Sequence, residues 1–478
     1  MIRNKTDDFK NRARELLIQT RSLLGSLPFA FFETVASILI VFTMQEVAGA
    51  VLFVALIALK LVVCDDILPT TLPFLLLSTF LTNCYDSYNT FIVYLPAAPI
   101  VVACALFHFV VYHKPFRFGD SAYGIIIVSI AVTLGGAGAF GLWDYLRGAY
   151  YIFGLGFGMV IAYLLMKSQF SVRQNYDIKE RFAVIMTLVG VLCSVMVLTG
   201  YVRRWMGWWT GPYHIGFSRN NISTLLMFAM PFPMFLGIKR KWVTAFTAVF
   251  FGIICVTTSR GGLIFGTVEF IVCCLIWIFN GGKRKRLRAY VCLGALAVVC
   301  ACSGVVIWQV VTGRLLADGK LTGDARYTML FEAFENFRQS PWIGTGILDD
   351  SIAYGEFKKQ GAMTWYHMMI PQIIGSMGLL GVIAYGLQFF IRAKLVFTRK
   401  SPWSICLGVS YLGLLLISQV NPGEFCPLPF LLIATLLFIL QERRLEERDL
   451  PIPERFYSYK TLLSVSFNKD EYANWVKE

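Results

Sequence analysis

From Leu27 onward the chain runs through one apolar stretch after another, each about 15 to 24 residues long and closed by a short polar turn. At 1.5 Å of rise per residue, a helix of that length crosses a hydrocarbon layer roughly 30 Å thick. Lipid tolerates irregular backbone only where protein or water covers it, so the runs must be helical. The expected fold class is all-α: a polytopic membrane helix bundle of about 12–14 spans, with one large extracytoplasmic loop containing amphipathic helices. The spans centre near Ile38, Ala55, Leu75, Val101, Ile130, Gly158, Val191, Phe228, Phe250, Glu269, Val299, Gly381, Tyr411 and Ile433. The first three are short and can be partitioned differently, so both counts stay open. A 57% hydrophobic composition and a mean hydropathy of +0.63 exceed what soluble domains carry.

The net charge of +14 would suit a nucleic-acid partner if it were gathered on one surface. It is instead divided among short loops between spans, where Lys and Arg report orientation. Arg3, Lys5, Lys10, Arg12, Arg14 and Arg21 put the amino terminus in the cytoplasm, after which every second loop should be basic. Lys114/Arg117, Lys167 to Arg181, Lys239 to Lys241, Lys283 to Arg288, Arg392 to Lys400 and Arg443/Arg444 obey that rule. Nucleic acid is therefore excluded as a partner, and anionic membrane lipids are expected along the cytoplasmic loops. The basic leader Met1–Gly25 shows no small-residue cleavage site. Most of the 12 cysteines fall inside apolar runs and behave as small hydrophobes. Cys84 and Cys426 fall near the outer face, and whether they pair is left open.

The same count places the long polar stretch Gly313–Tyr366, and His367 after it, on the outer side. The expected division is a cytoplasmic basic segment at 1–26, a transmembrane bundle at 27–312, an extracytoplasmic loop at 313–367, a second part of the bundle at 368–440 and a cytoplasmic tail at 441–478. The outer side is poor in basic residues, which makes its arginines informative: Arg147, Arg203, Arg204, Arg219, Arg260, Arg314, Arg326 and Arg338.

Three outer elements stand out. In Ser218-Arg219-Asn220-Asn221, either asparagine can cap the helix that follows, and a helix amino terminus favours an anion. In Thr257-Thr258-Ser259-Arg260-Gly261-Gly262 an arginine is bracketed tightly by apolar runs. Such an arginine either faces a wet cavity or an anion, or snorkels to the interface. The third element begins at Asp324-Ala325-Arg326 as an amphipathic helix, with Met329, Leu330, Ala333, Phe334 and Phe337 on its apolar face. Such a helix would lie flat at the lipid interface. Ser340-Pro341 stops it and Trp342 to Gly346 form a turn.

The order of these pieces resembles the bacterial O-antigen polymerase and O-antigen ligase superfamily, from about Asn220 to Gly381. The matching residues are Ser259-Arg260-Gly261-Gly262, Arg326 opening a loop helix, Ser340 to Gly346, and His367 eleven residues before Gly378-Leu379-Leu380-Gly381. Met368 departs from the asparagine that family members usually carry after the histidine. The resemblance implies a membrane glycosyltransferase that moves a glycan from a polyprenyl pyrophosphate carrier to an acceptor hydroxyl, without a metal or other cofactor and with inversion. The acceptor would be a glycan, lipid or polymer. Arg260, Arg326 and Arg219 are the expected pyrophosphate ligands, because guanidinium forks pair phosphate oxygens and stay charged. His367 is the expected proton acceptor, since histidine titrates near neutrality. Asn220, Ser259, Asp324 and Gln372 are expected to support them, and Asp324 or Glu332 could orient the histidine.

Two rival readings fit the same sequence. A peptidoglycan polymerase of the shape-and-division type would rest on an outer-loop aspartate, here Asp324. A flippase or transporter of lipid-linked glycan would show paired repeats and charges near the bilayer midplane. The charges here gather at one face, and no repeat is visible.

Overall fold

The computed structural model describes residues 2–83, 98–112, 118–139, 150–169, 177–208, 217–280, 282–310, 325–346, 366, 368–398, 401–421, 423–424 and 428–442. Among them there is no strand, and the chain is a succession of helices. In order these are α1 (Ile2–Leu24), α2 (Leu27–Thr43), α3 (Glu46–Val63), α4 (Leu68–Asn83), α5 (Ala98–Tyr112) and α6 (Asp120–Ala139). A π-helical segment, Tyr150–Gly156, leads into α7 (Phe157–Gln169), followed by α8 (Ile178–Trp205), α9 (Arg219–Ala229) and α10 (Phe232–Leu236). Then come α11 (Ala245–Val256), α12 (Arg260–Phe279), α13 (Lys285–Val310), α14 (Ala325–Gln339), α15 (Met369–Phe397), α16 (Pro402–Ile417) and α17 (Leu428–Glu442).

Each of the fourteen expected span centres lies inside one of these helices. Among the described residues three helices, α8, α12 and α15, are long and apolar enough to cross a membrane alone, and eight apolar helices of 10–17 residues accompany them. The basic α1 meets α2 at a 58° bend. Ser26 sets that junction by accepting from Phe29 N at 3.2 Å, with Pro28 in the first turn of α2. Cys84 and Cys426, and the tail beyond Glu442, lie outside the described residues.

The outer surface of the bundle is apolar in stripes. Ile264, Val268, Ile271 and Leu275 of α12 are exposed at helical spacing, which lipid permits and water does not. The polar contacts sort to the two ends. Arg21 Nε to Val63 O, Arg181 to Gly25 O, Lys239 to Glu180, Lys167 to Glu442 and Lys394 to Asp120 join residues that the charge pattern assigns to the cytoplasm. Tyr201 Oη to Val256 O and Arg203 to Val41 O join residues assigned to the outer side. Arg392 is the exception. The charge pattern puts it in a cytoplasmic loop, yet it is 2% exposed and paired with Glu424, from the turn between α16 and α17.

The expected span around Gly381 is broken. Gly378 has φ 57° and ψ −148° inside α15, a backbone that only glycine adopts readily. The break frees backbone groups that lipid could not satisfy. The turn after α14 satisfies them: Thr345 N donates to Gly375 O at 3.1 Å, Gly346 N to Ser376 O at 3.0 Å, Leu379 N to Pro341 O at 2.8 Å and Leu380 N to Trp342 O at 3.0 Å. Gly344, at φ 69°, lies so close to Ser376 and Met377 that a Cβ there would meet their backbone. The polar loop is thus stitched to α15, and its turn falls where the sequence places it.

Helix α14 packs on α15 through a face shifted from the expected one. Met329, Ala333 and Asn336 are buried, while Phe334 and Phe331 are exposed. The reason is Tyr366, which is fully buried and needs a partner for its hydroxyl. Asn336 Nδ2 donates to it at 2.6 Å, so the polar residue turns inward and Phe334 outward.

Candidate active site

Two of the three outer elements meet. Ser259 is buried and serves as the N-cap of α12, accepting from Gly262 N at 3.2 Å. Its hydroxyl donates to Asn220 Oδ1, 2.9 Å away in the first turn of α9. Ser223 Oγ lies 2.9 Å from Thr257 Oγ1, and Arg219 Nη1 donates to Thr258 Oγ1 at 3.4 Å. The amino termini of α9 and α12 are therefore held together by a chain of small hydroxyls. Close approach requires the glycines: a Cβ at Gly262 would sit 2.7 Å from Ser223 Oγ.

Asn220 does this work differently from the expectation. The N-cap of α9 is Ser218, without a side-chain cap bond. The helix already includes Asn220, so its amide is free of capping duty and receives Ser259 instead. Asn221 Oδ1 accepts from Asn421 Nδ2 at 3.3 Å.

Thr258 has φ 59°. A β-branched residue in the left-handed region is strained, by about 1–3 kcal/mol, and persists only where its surroundings impose it. Here the following residue is Ser259, whose cap bond and bond to Asn220 fix the turn. Arg260 follows as the first residue of α12, half-buried. Arg203, by contrast, is structural: buried, stacked 5.5 Å over the Phe217 ring and bonded to Val41 O.

The third element approaches from α15. Gln372 is buried; its Oε1 accepts from Tyr366 N at 3.1 Å and its Nε2 donates to Ser376 Oγ at 2.7 Å. Tyr366, next to the expected histidine in sequence, is thereby held at both ends, by Gln372 and by Asn336. His367 and Asp324 lie outside the described residues, and Arg326 is placed only as a backbone position in the first turn of α14.

A turn that the sequence reading passed over joins these parts. Met369 N donates to Ser418 O at 2.9 Å. Val420 lies against Gly261, where a Cβ would meet its side chain. Asn421 Nδ2 reaches Asn221 Oδ1 at 3.3 Å and Thr224 Oγ1 at 3.4 Å. Ser418, Val420 and Asn421 therefore touch the start of α15, the Arg260 turn and α9 at once. The signal was present in Asn421-Pro422-Gly423, a turn sequence on the expected outer face.

Residues 245–386 match the family model described as O-antigen ligase. The matched stretch contains the Ser259–Gly262 turn, α14, the turn after it and the broken part of α15. It supports membership of the O-antigen ligase and polymerase superfamily, in agreement with the motifs above, and with it a membrane glycan-transfer function. Arg219 and residues 418–424 lie outside the match. No curated protein matches the chain. The apolar helices and the family together suggest an inner-membrane protein.

Proposed function

We propose that the protein transfers a glycan from a polyprenyl-pyrophosphate-linked donor to an acceptor hydroxyl at the outer face of the bacterial cytoplasmic membrane, both chain termini being cytoplasmic. The observation that carries this reading is the junction of α9 and α12, each opened by an arginine. A cation at a helix amino terminus opposes the helix dipole. Two such ends, bonded together through Ser259 and Asn220, favour a ligand with strong negative charge between them. A pyrophosphate fits that description.

In this mechanism the acceptor oxygen attacks the anomeric carbon from the face opposite the pyrophosphate. The new C–O bond forms as the old one breaks, the bonding pair leaves on the pyrophosphate oxygen, and the configuration inverts. Arg260, Arg219 and Arg326 bind the pyrophosphate and stabilise the charge that grows on it. His367 takes the acceptor proton. Gln372 supports the histidine indirectly, by holding Tyr366. The arginines supply the positive charge for which other transferases use a divalent metal ion.

Deletion of the gene tests the reading and divides it. Surface glycan reduced to one attached repeat identifies a polymerase, whereas long unattached chains on carrier lipid identify a ligase. Unchanged surface glycan together with unchanged carrier-linked intermediates contradicts both.

A further inference from the structure

The turn after α16 carries a carboxylate into the interior of the bundle at Glu424. Glu424 is fully buried and paired with Arg392 of α15. Tyr411 Oη of α16 accepts from Arg392 Nη1 at 2.8 Å and donates to Glu424 Oε1 at 3.2 Å. Gln388 Nε2 donates to the same oxygen at 3.1 Å. Glu424 N donates to Ser418 Oγ at 2.9 Å, which closes the turn.

Stability is a poor explanation for this cluster. Removing two charges from water offsets most of their attraction, and apolar residues of similar volume do as well or better. The cluster is also incompletely bonded: Arg392 Nε and Glu424 Oε2 have no hydrogen-bond partner among the described residues. Both residues line a cavity of about 20 Å³, roughly the space one water needs. Ser129 and Thr435 share that cavity, and their hydroxyls also lack a partner among the described residues. What a buried pair does provide is register, because each charge has one place to go. Ser418, Val420 and Asn421, earlier in the same turn, carry the contacts to Met369, Gly261 and Asn221.

We infer that the Arg392–Glu424 pair is a positioning device: it anchors the turn at 418–424, which holds the Arg260 turn in register with the start of α15. The kinetic part of the test rests on the function proposed above; the structural part does not. Arg392→Met combined with Glu424→Gln removes both charges at similar volume and orphans neither, so the chain should still fold. Tyr411→Phe is the milder variant and deletes one hydroxyl from the cluster.

In each background, Asn221→Cys and Asn421→Cys are added and bridged in membranes with a short bis-thiosulfonate reagent. Single-cysteine chains control for the native thiols. Bridging is expected to slow in both variants, more in the doubly neutral one. In the same variants without added cysteines, kcat should fall by about 10–100-fold, as misplacement by an ångström does. Donor KM should stay within about twofold, because the arginines that bind the donor remain. Bridging at the unaltered rate in both variants overturns the anchor, whatever the protein's activity. Slowed bridging with unaltered kcat per folded molecule overturns the positioning role. Absence of transfer by the unaltered protein counts against the proposed function, and the bridging rates still decide the anchor.

Discussion

Arg260→Ala lowers glycan transfer by about 10²–10³, the usual cost of removing one group that stabilises charge in a transition state. The effect should fall mainly on kcat, because the pyrophosphate gains charge as it leaves and the ground state needs the guanidinium less. The variant should insert and fold normally. Arg260 is half-buried at the first position of α12, in a turn that the Ser259 cap closes. Arg260→Lys should recover only a small part of the rate, since an ammonium is a point charge without the bidentate fork. Transfer is measured in membranes normalised for protein amount. Full activity in Arg260→Ala would remove this residue from the site.

His367→Ala should lower transfer by about 10²–10⁴, the range a general base contributes. The same assay should show normal expression and insertion, since the neighbouring Tyr366 and Met369 keep their own hydrogen bonds. Asp324→Ala in the same membranes separates the glycan-transfer reading from the aspartate-dependent one. A larger loss in Asp324→Ala than in His367→Ala favours the rival polymerase chemistry. Full transfer in His367→Ala sinks the general-base role.

The helices were legible in the sequence for a physical reason. Lipid leaves an apolar run of this length little choice but to be a helix, and all fourteen span centres fall in one. The break at Gly378 was hidden because Gly-Leu-Leu-Gly reads as one more piece of an apolar run. Only the partner turn, with its four backbone bonds, makes a break tolerable there, and partners are tertiary facts. Arg392 was misplaced by the same logic that places the other basic residues. A charge count reads every arginine near a span end as a loop residue, and it cannot see that Glu424 waits about thirty positions further on. Asn220 was expected as a helix cap, but its contact depends on helix register: a helix beginning at Arg219 turns a capping residue into a hydrogen-bond acceptor for Ser259. The pairing of Arg219 with the Thr258 turn follows from family motif order only in part, since Arg219 precedes the matched segment. The turn at 418–424 was missed because Ser418, Val420 and Asn421 are ordinary residues, and their importance lies entirely in what they touch.

The most direct measurement uses the purified protein in lipid vesicles with a synthetic polyprenyl-pyrophosphate-linked glycan and a hydroxyl-bearing acceptor, followed by mass spectrometry and by NMR of the new linkage. Inverting glycan transfer should release intact polyprenyl pyrophosphate, one molecule per glycosidic bond formed, and give an anomeric configuration opposite to that of the donor. Donor moved across the bilayer without bond formation, or a product that retains the donor configuration, would contradict it.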